Sequence, residues 1–153
     1  IGLLLLSNLV LNAQINNTTS IVKINTIGKN YKNPVLPGFN PDPSICNIGD
    51  DYCIVNSSFE WFSGIPIYHS KDITNWTLIG HGTHRKKQVV FQEELGGYKR
   101  IFAVTIRDHN GLFYPITTCV DCETGGDFYV SSENPARPWS GPIWLDAPGI
   151  NLL

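Results

Sequence analysis

Charge is scarce in this sequence and methionine is missing from it. Only 16% of the 153 residues are Asp, Glu, Lys or Arg, the net charge is −2, and no basic block or acidic tail forms. Nucleic acid and anionic membrane surfaces need clustered positive charge, so neither is expected as a partner. Arg85-Lys86-Lys87 is a short solvated run, too small for a phosphate groove. His69, His81, His84 and His109 are scattered without HExxH spacing, and there is no Gly-rich phosphate loop or Ser nucleophile elbow. No metal and no cofactor is expected.

Long apolar runs are limited to the start. Residues 1–14 open with Ile1-Gly2-Leu3-Leu4-Leu5-Leu6 and close on Leu11-Asn12-Ala13. About ten strongly apolar residues are too few to span a bilayer but fit the apolar part of a secretory signal. A charged n-region and an initiating Met are lacking, so residues 1–14 are expected to be a partial signal peptide and the protein to be exported, periplasmic or extracellular, with no membrane attachment after signal removal. Residues 15–33, rich in Asn and Thr, read as a polar spacer, leaving 34–153 for the folded part. Asn16, Asn17, Asn56 and Asn75 each begin an N-x-[ST] sequon.

Ten prolines, fourteen glycines and few helical periods indicate an all-β chain with many turns. A four-strand pattern occurs twice. The first copy holds Ser44–Val55 with a Gly49-Asp50 turn, then Ile65–Ser70, then Thr77–Ile79 after Trp76. The second holds Thr105–Thr117 around Asn110-Gly111, the strongest short hairpin signal, then Gly126–Ser131, then Pro142–Leu145 after Trp139. Ile45 and Ile106 stand 61 positions apart, as do Tyr68 and Tyr129, and Ser70 and Ser131, whereas Trp76 and Trp139 are 63 apart. A repeated antiparallel unit ending in a tryptophan corner predicts a β-propeller rather than a sandwich. Trp76 and Trp139 are expected as blade-corner core.

The candidate functional stretch is Gly38-Phe39-Asn40-Pro41-Asp42-Pro43-Ser44, which sets one carboxylate between two prolines. Asn40 and Asp42 both precede a proline, which disfavours helix and predicts an extended, stiff segment. Ordinary surface turns also use Asp and Pro. The repeat raises Asp42 above that reading, because its loop and Phe102-Ala103-Val104 precede equivalent innermost strands, and propellers place binding chemistry where those strands converge. By register from the Gly49-Asp50 turn, Cys46 and Cys53 fall opposite one another, either as a cross-strand disulfide or as buried thiols. Cys119-Val120-Asp121-Cys122 is a single CxxC, weak support for zinc.

Asn33-Pro34-Val35-Leu36-Pro37-Gly38-Phe39-Asn40-Pro41-Asp42-Pro43-Ser44-Ile45-Cys46 resembles the opening of the catalytic domain of glycoside hydrolase family 43, of the β-xylosidase and α-L-arabinofuranosidase type. Ser57-Ser58-Phe59-Glu60-Trp61-Phe62 and Gly64-Ile65-Pro66-Ile67-Tyr68-His69-Ser70-Lys71-Asp72 resemble it in the same order. The resemblance spans roughly residues 31–151. It implies a five-bladed propeller, of which about the first two blades are here, and an inverting hydrolase acting on xylo- or arabino-oligosaccharides of plant polysaccharide. Asp42 takes the general base position. The partner acid sits about 6.5–9.5 Å away in such enzymes, leaving room for water.

Phe59 and Phe102 match aromatics of the sugar pocket, and Trp61 stands either with them in the substrate-binding wall or in the core. Asn151 holds the place of a carboxylate that tunes the acid, and an amide carries no charge to do so. The acid itself would lie further on, so this chain is expected to be an inactive portion of a longer enzyme. A non-catalytic carbohydrate-binding or structural propeller remnant is the alternative. Val104 replaces a usual proline and Asp108 a usual tyrosine. Pro115 falls in a strand, where it removes a ladder hydrogen bond.

Overall fold

A computed structural model describes residues 31–91 and 100–146. Residues 1–14, expected as a partial signal, most of the expected spacer at 15–33, and Asn151 lie outside the described residues. The described residues form two four-stranded antiparallel sheets, each in simple chain order. The first contains β1 (Ser44–Ile48), β2 (Asp51–Val55), β3 (Gly64–Ser70) and β4 (Thr77–Thr83). The second contains β5 (Arg100–His109), β6 (Leu112–Val120), β7 (Gly126–Tyr129) and β8 (Ile143–Trp144). Both hairpins turn where expected. Gly49 has φ +58°, while Asn110 and Gly111 both take positive φ, +54° and +78°, as a two-residue type I′ turn requires.

Proline sets one strand end. Pro115 sits opposite Ile106 in β6, and its carbonyl accepts from Val130 N (3.2 Å). Pro115 has no N–H to return that bond. The β6–β7 ladder therefore ends at Tyr129 and resumes only as an isolated Phe113–Ser132 bridge. Phe102-Ala103-Val104 is not a loop, contrary to the sequence expectation. These residues lie within β5, where the register shifts between Ile101 and Val104. The bulge keeps the strand continuous while re-aiming residues 102 and 103.

The sheets meet along β1 and β5, where Ile106 N donates to Ser44 Oγ (3.2 Å). At one end Phe59 and Ile101 exchange backbone hydrogen bonds (2.9 and 3.3 Å). The shared core includes Val55, Ile65, Ile67, Ile101, Val104, Ile106 and Phe128. Gly64 is obligatory: a Cβ there would lie 2.5 Å from Thr83 Oγ1 and 2.8 Å from Ile101 Cδ1.

The tryptophan corners differ from the expectation of two core residues. Trp139 is buried at 3% exposure, but Trp76 is only half-buried, its Nε1 donating to Ile73 O (3.0 Å). The segment after β4 is tied to the backbone of the Trp139 corner. Arg85 Nη1 donates to Trp139 O (3.1 Å), and Gln88 Nε2 donates to Ser140 O (2.7 Å) and Gly82 O (3.0 Å).

Cys46 and Cys53 are register partners and free thiols, whereas Cys119 and Cys122 form a disulfide, a pairing the sequence reading did not weigh. Asn56 is wholly buried, so its sequon is inaccessible in the folded chain.

Candidate active site

The Asp42 loop is built by hydrogen bonds from the end of β2. Pro41 O accepts from Ser57 N (3.1 Å) and from Asn56 Nδ2 (3.3 Å). Ser57 Oγ donates to Asp42 Oδ2 (2.6 Å). Upstream, Asn40 Nδ2 donates to Leu36 O (3.3 Å) and Pro37 O (3.2 Å). Asn56 and Ser57 are both buried, so polar side chains that would be costly in a core instead anchor a loop.

Asp42 itself has φ +49°, the left-handed region. This corrects the expected extended backbone. A non-Gly residue there is costly and persists only where surrounding contacts over-determine it. The three bonds from Asn56 and Ser57 are those contacts. The carboxylate is thereby fixed at one oxygen and solvent-exposed, the state required of a group that must meet a mobile reactant repeatedly in one geometry.

Asp42, Pro43 and Ser44 line an open cavity of ≈ 390 Å³ with Ala103, Val104, Thr105 and Arg107. The bulge in β5 thus forms the opposite wall. Arg107 brings the only cation of this lining, and its Nη1 donates to Ile106 O (2.8 Å). Neither Thr105 nor Arg107 was singled out in the sequence for chemistry. Thr105 had a signal, since it is the 61-residue repeat equivalent of Ser44; Arg107 had none.

The Phe59 and Phe102 rings come together, although neither lines the Asp42 cavity. Their ring centroids are 6.0 Å apart in an edge-on arrangement, and Phe39 lies 6.2 Å from Phe59 on its other side. Phe59 is held at φ +46° by its backbone pair with Ile101, the residue before Phe102. Of the two expectations for Trp61, the core one is excluded. It is 67% exposed, so it is not core, and it lines a different groove from that of Asp42. Asn151 lies outside the described residues, and no second carboxylate lines the Asp42 cavity among those described.

His69 contacts Asp51 Oδ1 (2.6 Å), as does Lys71 Nζ (3.0 Å). These two partners, His69 first, hold the Asp51 carboxyl below its usual range. The cluster is a surface ion-pair network at the hairpin end of β1 and β2, remote in the fold from the Asp42 loop.

A model of glycosyl hydrolases family 43 matches residues 31–151. The chain is 48% identical over 122 residues to a xylosidase/arabinosidase of Butyrivibrio fibrisolvens, covering 78% of this chain and 23% of that protein. It is 46% identical over 121 residues to the non-reducing end alpha-L-arabinofuranosidase BoGH43B of Bacteroides ovatus, covering 76% and 22%. Among solved structures, a xylan beta-1,4-xylosidase from Bacillus halodurans C-125 superposes with a TM-score of 0.71 at 36% identity, covering 79% of this chain and 24% of that one. The chain thus spans less than a quarter of the length of these relatives.

Proposed function

The chain belongs to glycosyl hydrolase family 43, its two sheets being blades of the family's five-bladed β-propeller, and from that premise we propose that it carries the general-base half of a glycosidase site for xylosides or arabinosides. The observation that carries this reading is the Ser57 Oγ to Asp42 Oδ2 hydrogen bond at the mouth of the cavity. It engages one carboxylate oxygen and leaves the other for water.

In the reaction so read, Asp42 takes a proton from a water molecule as that water's oxygen bonds to the anomeric carbon. The glycosidic C–O bond breaks on the opposite face, and its electron pair takes a proton from a carboxylic acid there. The configuration at the anomeric carbon inverts. Positioned proton transfer of this kind contributes about 10²–10⁴ in rate. Phe59 and Phe102 supply an apolar wall suited to the face of a pentose ring. Asn151 stands where the family's charge-tuning carboxylate would be. The residue supplying the acid lies outside the described set, and we place it downstream of Leu153.

The test is hydrolysis of an aryl β-xyloside and an aryl α-arabinofuranoside by this chain and by the chain extended downstream. Activity in the extended form that disappears on Asp42→Ala is the expected result. An inactive extended form that still binds xylose would replace this reading with a non-catalytic carbohydrate-binding propeller.

A further inference from the structure

A cavity of ≈ 400 Å³ opens against the first sheet near the hairpin end of β1 and β2, and Phe113 with the Asn134–Ala136 corner of the second sheet lines its other side. The first sheet contributes Cys46, Cys53 and His69, which are consecutive register partners across β1, β2 and β3. Side chains in one such row stand on the same face of a sheet. Two free thiols therefore lie directly opposite one another and border the same space.

Across an antiparallel pair, the Cβ atoms of opposite residues are about 4.5–5.5 Å apart. That gap suits one atom bonded to both sulfurs. The thiols also sense each other: burial first, and then charge on Cys46, raises the Cys53 thiol. Cys46 is half-buried and Cys53 is buried, so the pair runs from the cavity inward. Ile48, Ile79 and Phe113 stand around it as an apolar shell, which limits competing water.

The ligand set decides which ion fits. Among the described residues no group of three or more His, Cys, Asp and Glu side chains is arranged to hold a metal ion. His69, next in the row, is engaged by Asp51, its Nε2 lying 2.6 Å from Oδ1. Zinc in structural sites takes a full tetrahedron of ligands, and calcium and magnesium take shells of oxygen, so none of these is served. Thiolate sulfur selects soft ions, Cu(I) among them. A soft ion content with two ligands is what two opposed sulfurs satisfy.

We propose that Cys46 and Cys53 form a two-coordinate site for a soft monovalent cation of the Cu(I) class, reached through this cavity. Binding exchanges two S–H protons for two metal–sulfur bonds, and no atom changes oxidation state. The bis-thiolate complex carries one negative charge. At Cys46, burial opposes that charge, the Asp108 N–H favours it, the Asp108 carboxylate opposes it and Arg107 favours it. The Asp51 carboxylate, which acts on Cys53, is itself paired with His69 and Lys71. A bound ion would link β1 to β2, the hairpin whose other end carries Asp42 and Ser57. The site is independent of the glycosidase reading.

The experiment is anaerobic titration of the full chain with the coloured Cu(I) complex of bathocuproine disulfonate, with ascorbate keeping the copper reduced. Bleaching should show one copper taken per chain by wild type and by His69→Ala, and none by Cys46→Ser or Cys53→Ser at the same chelator concentration. X-ray absorption of the loaded chain should show sulfur and no nitrogen bound to copper. Loading should raise the Tm of wild type and leave that of Cys46→Ser unchanged. Because Cys46 is only half-buried, an unchanged far-ultraviolet circular dichroism spectrum of Cys46→Ser serves as the folding check.

A wild-type chain that takes no copper overturns the proposal. So does a Cys46→Ser chain that keeps one copper, which would assign the metal to Cys119 and Cys122. Loss of copper in His69→Ala, or nitrogen bound to copper, would replace the two-sulfur site with a larger ligand set. Fewer than two free thiols in the denatured chain before titration would show Cys46 and Cys53 already joined, and would overturn it as well.

Discussion

The two sheets repeat one design and diverge at the point where chemistry is needed. Counting 61 residues on from Asp42 leads to Ala103, and from Ser44 to Thr105. Ser44 opens β1 whereas Thr105 lies within β5, and the two line the same cavity. In the first sheet the residue two before is a carboxylate in a left-handed turn, tied down by Ser57. In the second it is a methyl group in a strand bulge. Duplication therefore supplies the wall, and a single departure from the repeat supplies the reactive group. A site at the junction of two such units needs the copies to be alike in backbone and unlike in side chain.

The comparison breaks first in activity. Asp42→Ala in the extended chain should lower kcat/KM on an aryl xyloside by about 10²–10⁴-fold. Adding Ala103→Asp to that variant should restore none of it, because Thr118, the repeat equivalent of Ser57, donates to Asp127 instead. Recovery in the double variant would show that the two positions are interchangeable and that the loop geometry is irrelevant.

Stability should separate the corners. Trp139→Ala should cost about 3–5 kcal/mol in urea unfolding, as for other buried large aromatics, and half-buried Trp76→Ala about 1 kcal/mol. Equal losses would mean the deeper burial of Trp139 contributes nothing.

The cysteine pairs should differ in reactivity. Burial first, then the charges of Cys46 and Asp51, pushes the Cys53 thiol up to about 11. Burial also raises Cys46. At neutral pH, iodoacetamide should label Cys53 roughly a hundredfold more slowly than an unhindered thiol. Cys119 and Cys122 should take label only after reduction. Mass spectrometry of the alkylated peptides reads both.

The smallest effect concerns acid. In the first corner Asp72 accepts from the Asn75 side chain (2.7 Å) and from Asn75 N and Thr74 N (2.8 and 3.0 Å), in that order of effect holding its carboxyl far below the usual range. The second corner uses Asn134, whose Oδ1 accepts from Ala136 N (2.9 Å) and cannot titrate. A depressed carboxyl contributes stability above its unfolded value of about 4. That contribution is lost as the pH falls below 4 toward the folded value. The drop in Tm from about pH 5 to pH 2.5 should thus be slightly smaller in Asp72→Asn than in wild type. An identical drop would show the bonds to Asp72 to be worth the same protonated.

Strand positions were legible in the sequence because alternation and turn residues are local. Gly49-Asp50 and Asn110-Gly111 set the hairpins, and counting back from the first placed Cys46 against Cys53. Features that depend on another part of the chain were not legible. The rule for residues before proline pointed to an extended Asp42, but Asn56 and Ser57, fifteen residues away, override it. Phe102–Val104 reads as a connection until the pairing of Arg100 with Val120 and of Ile101 with Cys119 makes the strand start earlier. Trp61 has the composition of a core residue, and only the placement of β3 and β4 beneath it shows that it faces out. The Cys119–Cys122 link spans a tight turn after β6, and a CxxC alone does not distinguish it from a pair of thiols.

The Gln88 side chain, bonded at once to Gly82 O and Ser140 O, shifts the boundary between modules. The period seen in the sequence would place residues 84–91 with the first unit, yet they finish the second. A chimera that exchanges blades between relatives at the repeat boundary would part the Trp139 corner from the side chains bonded to it. A crossover before His84, carrying that segment along with the second sheet, would keep them together.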